Sequence, residues 1–119
     1  MGMSEAYSEK TRTTVWARSA GRCAFTGCGV SLIVEADPGA DPSLVGQMAH
    51  IVGRSRQGPR GAGPISDEAR RSAANFVLLC GTHHKVVDDN PQRYSTMVLS
   101  RMIVSWAVPS TARIHHRRL

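Results

Sequence analysis

Cys80, His83, His84 and Asp88 crowd into one short stretch, and no hydrophobic core needs those residue types there. Ahead of them runs Asn75-Phe76-Val77-Leu78-Leu79, an apolar segment that reads as a short buried strand. The segment predicts a strand, a tight turn at Cys80-Gly81-Thr82 and a helix starting near His83. Cys80 and His83 stand in C-x-x-H spacing, and Cys23 and Cys28 in C-x4-C spacing around Gly27. Three thiols and one imidazole suit a closed, tetrahedral, structural zinc site. Such a site would tie the N-terminal knuckle to the start of the central helix. The plainer alternative is three small buried thiols and a surface histidine. The pairing of two spaced clusters favours zinc.

The elements that must position these groups follow from pattern and punctuation. Thr11 to Ala20 predicts a helix with Val15, Trp16 and Ala20 on or near one face, ended by Gly21. Val30 to Val34 reads as a strand, Glu35 to Ser43 as a loop, and Val45 to Val52 as a second apolar strand carrying His50. Residues 53–63 form a glycine-rich basic loop with Arg54, Arg56 and Arg60. Ser66 is placed to cap a short helix. Asn90-Pro91 breaks the chain. Ser95 to Ala107 predicts a last helix, with Met97, Val98, Met102 and Trp106 as inner positions. The organisation is thus a loose tail over 1–10, one α+β domain over 11–107 and a basic tail over 108–119.

Composition narrows the function. Fifteen Lys and Arg face nine Asp and Glu, a formal charge of +6. That balance favours an anionic partner, most simply nucleic acid. No run of about 18 apolar residues occurs, so no membrane span is expected. Met1 to Thr14 has no apolar signal core, and only three cysteines are present, which argues against secretion and a disulfide framework. A cytoplasmic protein is expected.

His50, Asn75 and His84 give the order His, Asn, His, and Asn75 opens an apolar strand that leads to Cys80-x-x-His83-His84. On these residues the chain resembles the HNH endonuclease family from about Val15 to Trp106, with His83 where that family commonly has a second cysteine. Trp16-x3-Ala20-Gly21-Arg22-Cys23, Ala49-His50-Ile51, Gly58-Pro59-Arg60-Gly61 and Cys80-x-x-His83-His84-x3-Asp88 most resemble the HNH part of bacterial anti-phage HNH-SAVED defence nucleases. The resemblance implies a small zinc-stabilised ββα-metal domain with flanking helices. It also implies metal-dependent cleavage of DNA, double-stranded and with little sequence preference. Control by a homo-oligomer or by a separate sensor domain is a further implication.

Set against the needs of phosphodiester hydrolysis, the family mechanism makes His50 the general base, since imidazole titrates near neutral pH. Asn75 would orient His50 or its strand. His84 would ligate a catalytic Mg²⁺ or Mn²⁺. The chain departs from the family at Ala49, where many members carry a second ligand. Asp88, four residues after His84 and so on the same helical face, is the compensating candidate. Asp89 points about 100° away on an ideal helix. Arg54, Arg56, Arg60 and Lys85 are candidate nucleic-acid contacts. Taken singly, each residue has a plainer reading: His50 a satisfied core histidine, Asn75 a turn or cap, Asp88 a solvated carboxylate. A zinc module that only binds nucleic acid, or that serves a larger assembly, is the competing function.

Overall fold

The computed structural model describes residues 7–52 and 65–106. Arg54, Arg56, Arg60 and both predicted tails beyond Tyr7 and Trp106 lie outside the described residues. The fold is a small α+β domain. Helix α1 spans Glu9–Arg18 and is capped by Ser8, whose hydroxyl accepts from the Thr11 N–H. Strands β1 (Ile33–Val34) and β2 (Ser43–Leu44) form a two-stranded antiparallel ribbon. Strands β3 (Gln47–His50) and β4 (Phe76–Leu79) form a second antiparallel pair, with Gln47 opposite Leu79 and His50 opposite Phe76. Between them lie the short helix α2 (Asp67–Arg70) and a 3-10 turn over Ala73–Asn75. Helix α3 (Gly81–Asp89) follows β4 directly, and α4 (Thr96–Trp106) closes the described chain.

Every side chain of β4 is buried, so this strand is covered on both faces. Phe76, Val77, Leu78 and Leu79 join Val15, Leu32, Val87, Leu99 and Met102 in one core. Helices α1, α3 and α4 all pack against β4. Gly46 sits where that packing is tightest. A Cβ there would lie 2.8 Å from Trp16 Cζ2 and 2.9 Å from Leu78 Cδ1.

Several expected boundaries shift. Helix α1 ends earlier than Ala20, in a motif where the Gly21 N–H reaches the Trp16 carbonyl and the Ala20 N–H reaches that of Ala17. Ala20 itself takes the left-handed conformation, φ 54°, and is exposed rather than inward-facing. The strand expected over Val30–Val34 shrinks to Ile33–Val34. Leu32 alone is buried there, while Val30, Ile33, Val34 and Leu44 stay exposed. The strand expected over Val45–Val52 pairs only from Gln47 to His50. In α4, Met97 is 64% exposed and Leu99 takes the inner position beside Met102. The side chain of Trp106 lies outside the described set. Ser66 caps α2 as expected, its hydroxyl accepting from the Ala69 N–H. Among the described residues no helix is long and apolar enough to cross a membrane.

Candidate metal centre and the groups around it

The turn expected at Cys80-Gly81-Thr82 is instead the first turn of α3. Cys80 is its N-cap: the carbonyl accepts from the His84 N–H at 2.9 Å, and the sulfur accepts from the His83 N–H at 3.4 Å. A thiolate is well suited to that place, because the exposed N–H groups and dipole of a helix start favour negative charge. Burial works to raise the Cys80 pKa, but hydrogen bonds from the His83 backbone and the neighbouring thiols outweigh it and the net shift is downward.

The other two sulfurs arrive on the knuckle after α1. The Ala24 N–H donates to the Leu78 carbonyl at 2.8 Å, which fastens this segment to β4. The Cys28 N–H donates to the Phe25 carbonyl, and Gly27, at φ 86°, supplies the left-handed residue that turns Cys28 back toward Cys23. Cys23 is fully buried, and burial pushes its thiol up to about 12.

The ligand atoms of Cys23, Cys28, Cys80 and His83 lie within 4.8 Å of one another. His83 Nδ1 is 3.8 Å from Cys23 Sγ and 3.3 Å from Cys80 Sγ. Zinc bonds of about 2.3 Å to sulfur and 2.0 Å to nitrogen put tetrahedral ligand atoms about 3.5–3.8 Å apart. The group could therefore hold a metal such as zinc with small side-chain adjustment. The His83 ring is already held flat against Phe25, centroids 4.0 Å apart and planes 1° apart, with Tyr94 5.5 Å from Phe25. Phe25 lies inside the C-x4-C knuckle, and nothing in the sequence alone marked it as the platform for His83.

A second group lies on the next position of the same helix. His84 Nε2 is 3.2 Å from Asp88 Oδ2, one turn along α3. His84 Nδ1 meets Gln47 Oε1, a partner that the sequence reading missed. A carboxamide oxygen only accepts, so Nδ1 donates and the lone pair of a neutral ring points at a carboxylate. Two acceptors at that distance need a cation between them, whether a proton or a metal ion. Octahedral bonds of about 2.1 Å place neighbouring ligand atoms about 3.0 Å apart, which matches the observed separation. Asp89, by contrast, is engaged with Lys85 at 3.2 Å on the exposed side of α3.

His50 closes β3. Its ring lies against Phe76, centroids 4.5 Å apart and tilted by 53°. Strand alternation sets His50 on the side of Met48, and Gln47 with Ala49 on the other. Asn75 is buried, and its amide is spent on the backbone. Oδ1 accepts from the Val52 N–H at 2.8 Å, and Nδ2 donates to the Val52 and Arg70 carbonyls at 2.9 Å each. With the Ile51 N–H on the Asn75 carbonyl, these bonds continue the β3–β4 ladder past His50. Of the two roles expected for Asn75, the side chain thus serves the strand. Ala49 is fully buried.

No protein-family model matches the chain, and no curated protein matches it. Its chemistry has to be read from its own residues.

Proposed function

We propose that the protein is a metal-dependent endonuclease of the HNH type that hydrolyses phosphodiester bonds in DNA. The observation that carries this reading is the His84–Asp88 pair, 3.2 Å apart on the helix that directly follows the β3–β4 hairpin bearing His50. That order of two antiparallel strands and a helix is the arrangement of a ββα-metal domain. In this reading Cys23, Cys28, Cys80 and His83 hold a structural zinc that anchors the start of α3 to the knuckle. His84 and Asp88 hold Mg²⁺ or Mn²⁺, which would neutralise charge on the scissile phosphate and the leaving oxygen. His50 takes the proton from the attacking water. Asn75 keeps the chain on the far side of His50 from drifting, so the imidazole is presented from a fixed backbone. Lys85, 77% exposed on α3, is available to phosphate through its ammonium while Asp89 tempers its charge.

Two observations favour a second reading, a zinc-stabilised module that binds nucleic acid or serves an assembly without cutting. Ala49 offers no ligand beside His50, and alternation sets His50 on the opposite side of β3 from Gln47, the residue that meets His84.

Plasmid cleavage by wild type and His50→Ala, each with Mg²⁺, Mn²⁺ or EDTA, separates the two. Metal-dependent nicking by wild type that vanishes in a folded, zinc-loaded His50→Ala is the expected result. DNA bound but uncut by the wild type would support the binding module. Equal cutting by both proteins would remove His50 from the mechanism.

A further inference from the structure

Gln47 stands at the opposite end of β3 from His50. The ladder pairs it with Leu79, the last residue of β4, so it lies where the chain leaves the sheet for α3. Its Oε1 meets His84 Nδ1 there, and its Nε2 faces the first residue of the helix. A Cβ built on Gly81 would come within 3.3 Å of that nitrogen. Gly81 is thus the position at which the first turn of α3 leaves space for the Gln47 amide.

This seat constrains the imidazole in two ways. It fixes the ring rotation, because Nδ1 is held to β3 while Asp88 Oδ2 waits 3.2 Å from Nε2. It also keeps a proton on Nδ1 and leaves Nε2 for the ion, because Oε1 can only accept. We propose that Gln47 is a positioning residue for a divalent-metal site, holding His84 so that Nε2 and the Asp88 carboxylate grip one ion together. The inference rests on the reading of His84 and Asp88 as metal ligands and adds the residue that aims them. A ligating histidine whose other nitrogen is hydrogen-bonded is pre-oriented, and removing such a partner typically weakens metal affinity about 10–100-fold.

The test is Mn²⁺ binding to the full, zinc-loaded chain, followed by the electron paramagnetic resonance signal of free Mn²⁺. Wild type is compared with Gln47→Ala, Gln47→Glu, Gly81→Ala and His84→Ala. Wild type is expected to bind one Mn²⁺ beyond its zinc, and His84→Ala to lose it. Gln47→Ala should bind about 10–100-fold more weakly. Gln47→Glu keeps an accepting oxygen and should bind at least as tightly as wild type, a rescue that a merely space-filling side chain would not show. Gly81→Ala crowds the amide while adding helix propensity, so it should bind Mn²⁺ more weakly without losing stability. Long-range proton–nitrogen correlations of the Mn²⁺-free protein should show Nδ1 protonated in wild type and Gln47→Glu, and that preference lost in Gln47→Ala. Undiminished Mn²⁺ affinity in Gln47→Ala, with loss in His84→Ala, would overturn the role of Gln47 and leave the metal site standing. Equal Mn²⁺ binding by wild type and His84→Ala, or none by either, would remove the metal site and this inference with it.

Discussion

Replacing Asn75 by alanine should damage the fold before it damages any chemistry. The side chain satisfies three backbone groups: the Val52 N–H, the Val52 carbonyl and the Arg70 carbonyl. All three bonds are buried, so the alanine variant leaves groups that water reaches poorly. Each unsatisfied group costs about 1–3 kcal/mol, and partial entry of water brings the sum to about 3–4 kcal/mol. A chain of this size is stable by roughly 6–12 kcal/mol, so the variant forfeits about a third to a half of its stability. At about 4–6 °C per kcal/mol, the melting temperature should fall by about 15 °C. Asn75→Asp should not rescue it. One carboxylate oxygen still accepts from Val52, but the other then opposes two carbonyls. The assay is thermal and urea unfolding of the zinc-saturated protein by circular dichroism, with amide exchange read at Ile51 and Val52. A loss below about 1 kcal/mol would refute the clamp, given the cost of even one orphaned buried group. Abolished DNA cleavage at unchanged stability would show that the Asn75 side chain acts in the chemistry instead.

Other substitutions test other parts of the account. The Cys23 thiol, pushed up to about 12 by burial, must shed its proton to ligate, so metal binding releases that proton at any lower pH. Zinc affinity should therefore fall at least about tenfold per unit of acidification between pH 8 and 6, measured by competition with a chromophoric chelator; a flat profile would exclude Cys23 as a ligand. Ala20→Gly removes the strain of a left-handed alanine and should stabilise the protein by about 1 kcal/mol in urea unfolding. Gly46→Ala should destabilise it by about 1–3 kcal/mol, because the new methyl meets the rigid Trp16 ring as well as Leu78.

Much of the candidate site could be read from short-range pattern. The strand over Phe76–Leu79, the Ser66 cap and the Cys3His set depend on residue type and local spacing, which the sequence carries directly. Asp88 falls beside His84 because a helix repeats nearly every four residues. What the sequence hid depends on pairing between distant segments. Gln47 becomes a partner of His84 only once β3 and β4 adopt their register, and one residue of slip would turn it to the other face. The stack of Phe25 on His83 needs the knuckle folded onto α3. Helical period put Met97 inside where Leu99 is, because neighbouring apolar positions in α4 offer two overlapping stripes and the tertiary contacts decide. Val30 to Val34 read as a strand and Glu35 to Ser43 as a loop, yet Ile33–Val34 pairs with Ser43–Leu44 and the ribbon leaves its apolar residues in solvent.

The Val52 carbonyl, just past β3, and the Arg70 carbonyl, at the end of α2, are both stitched to the same amide, Nδ2 of Asn75. One amide thus holds the two ends of the intervening stretch together. Lengthening a loop whose ends are held costs little in closure entropy, about 0.6 kcal/mol for each doubling. An insertion between positions 53 and 64 should therefore cost the domain little stability so long as Asn75 keeps its three backbone bonds.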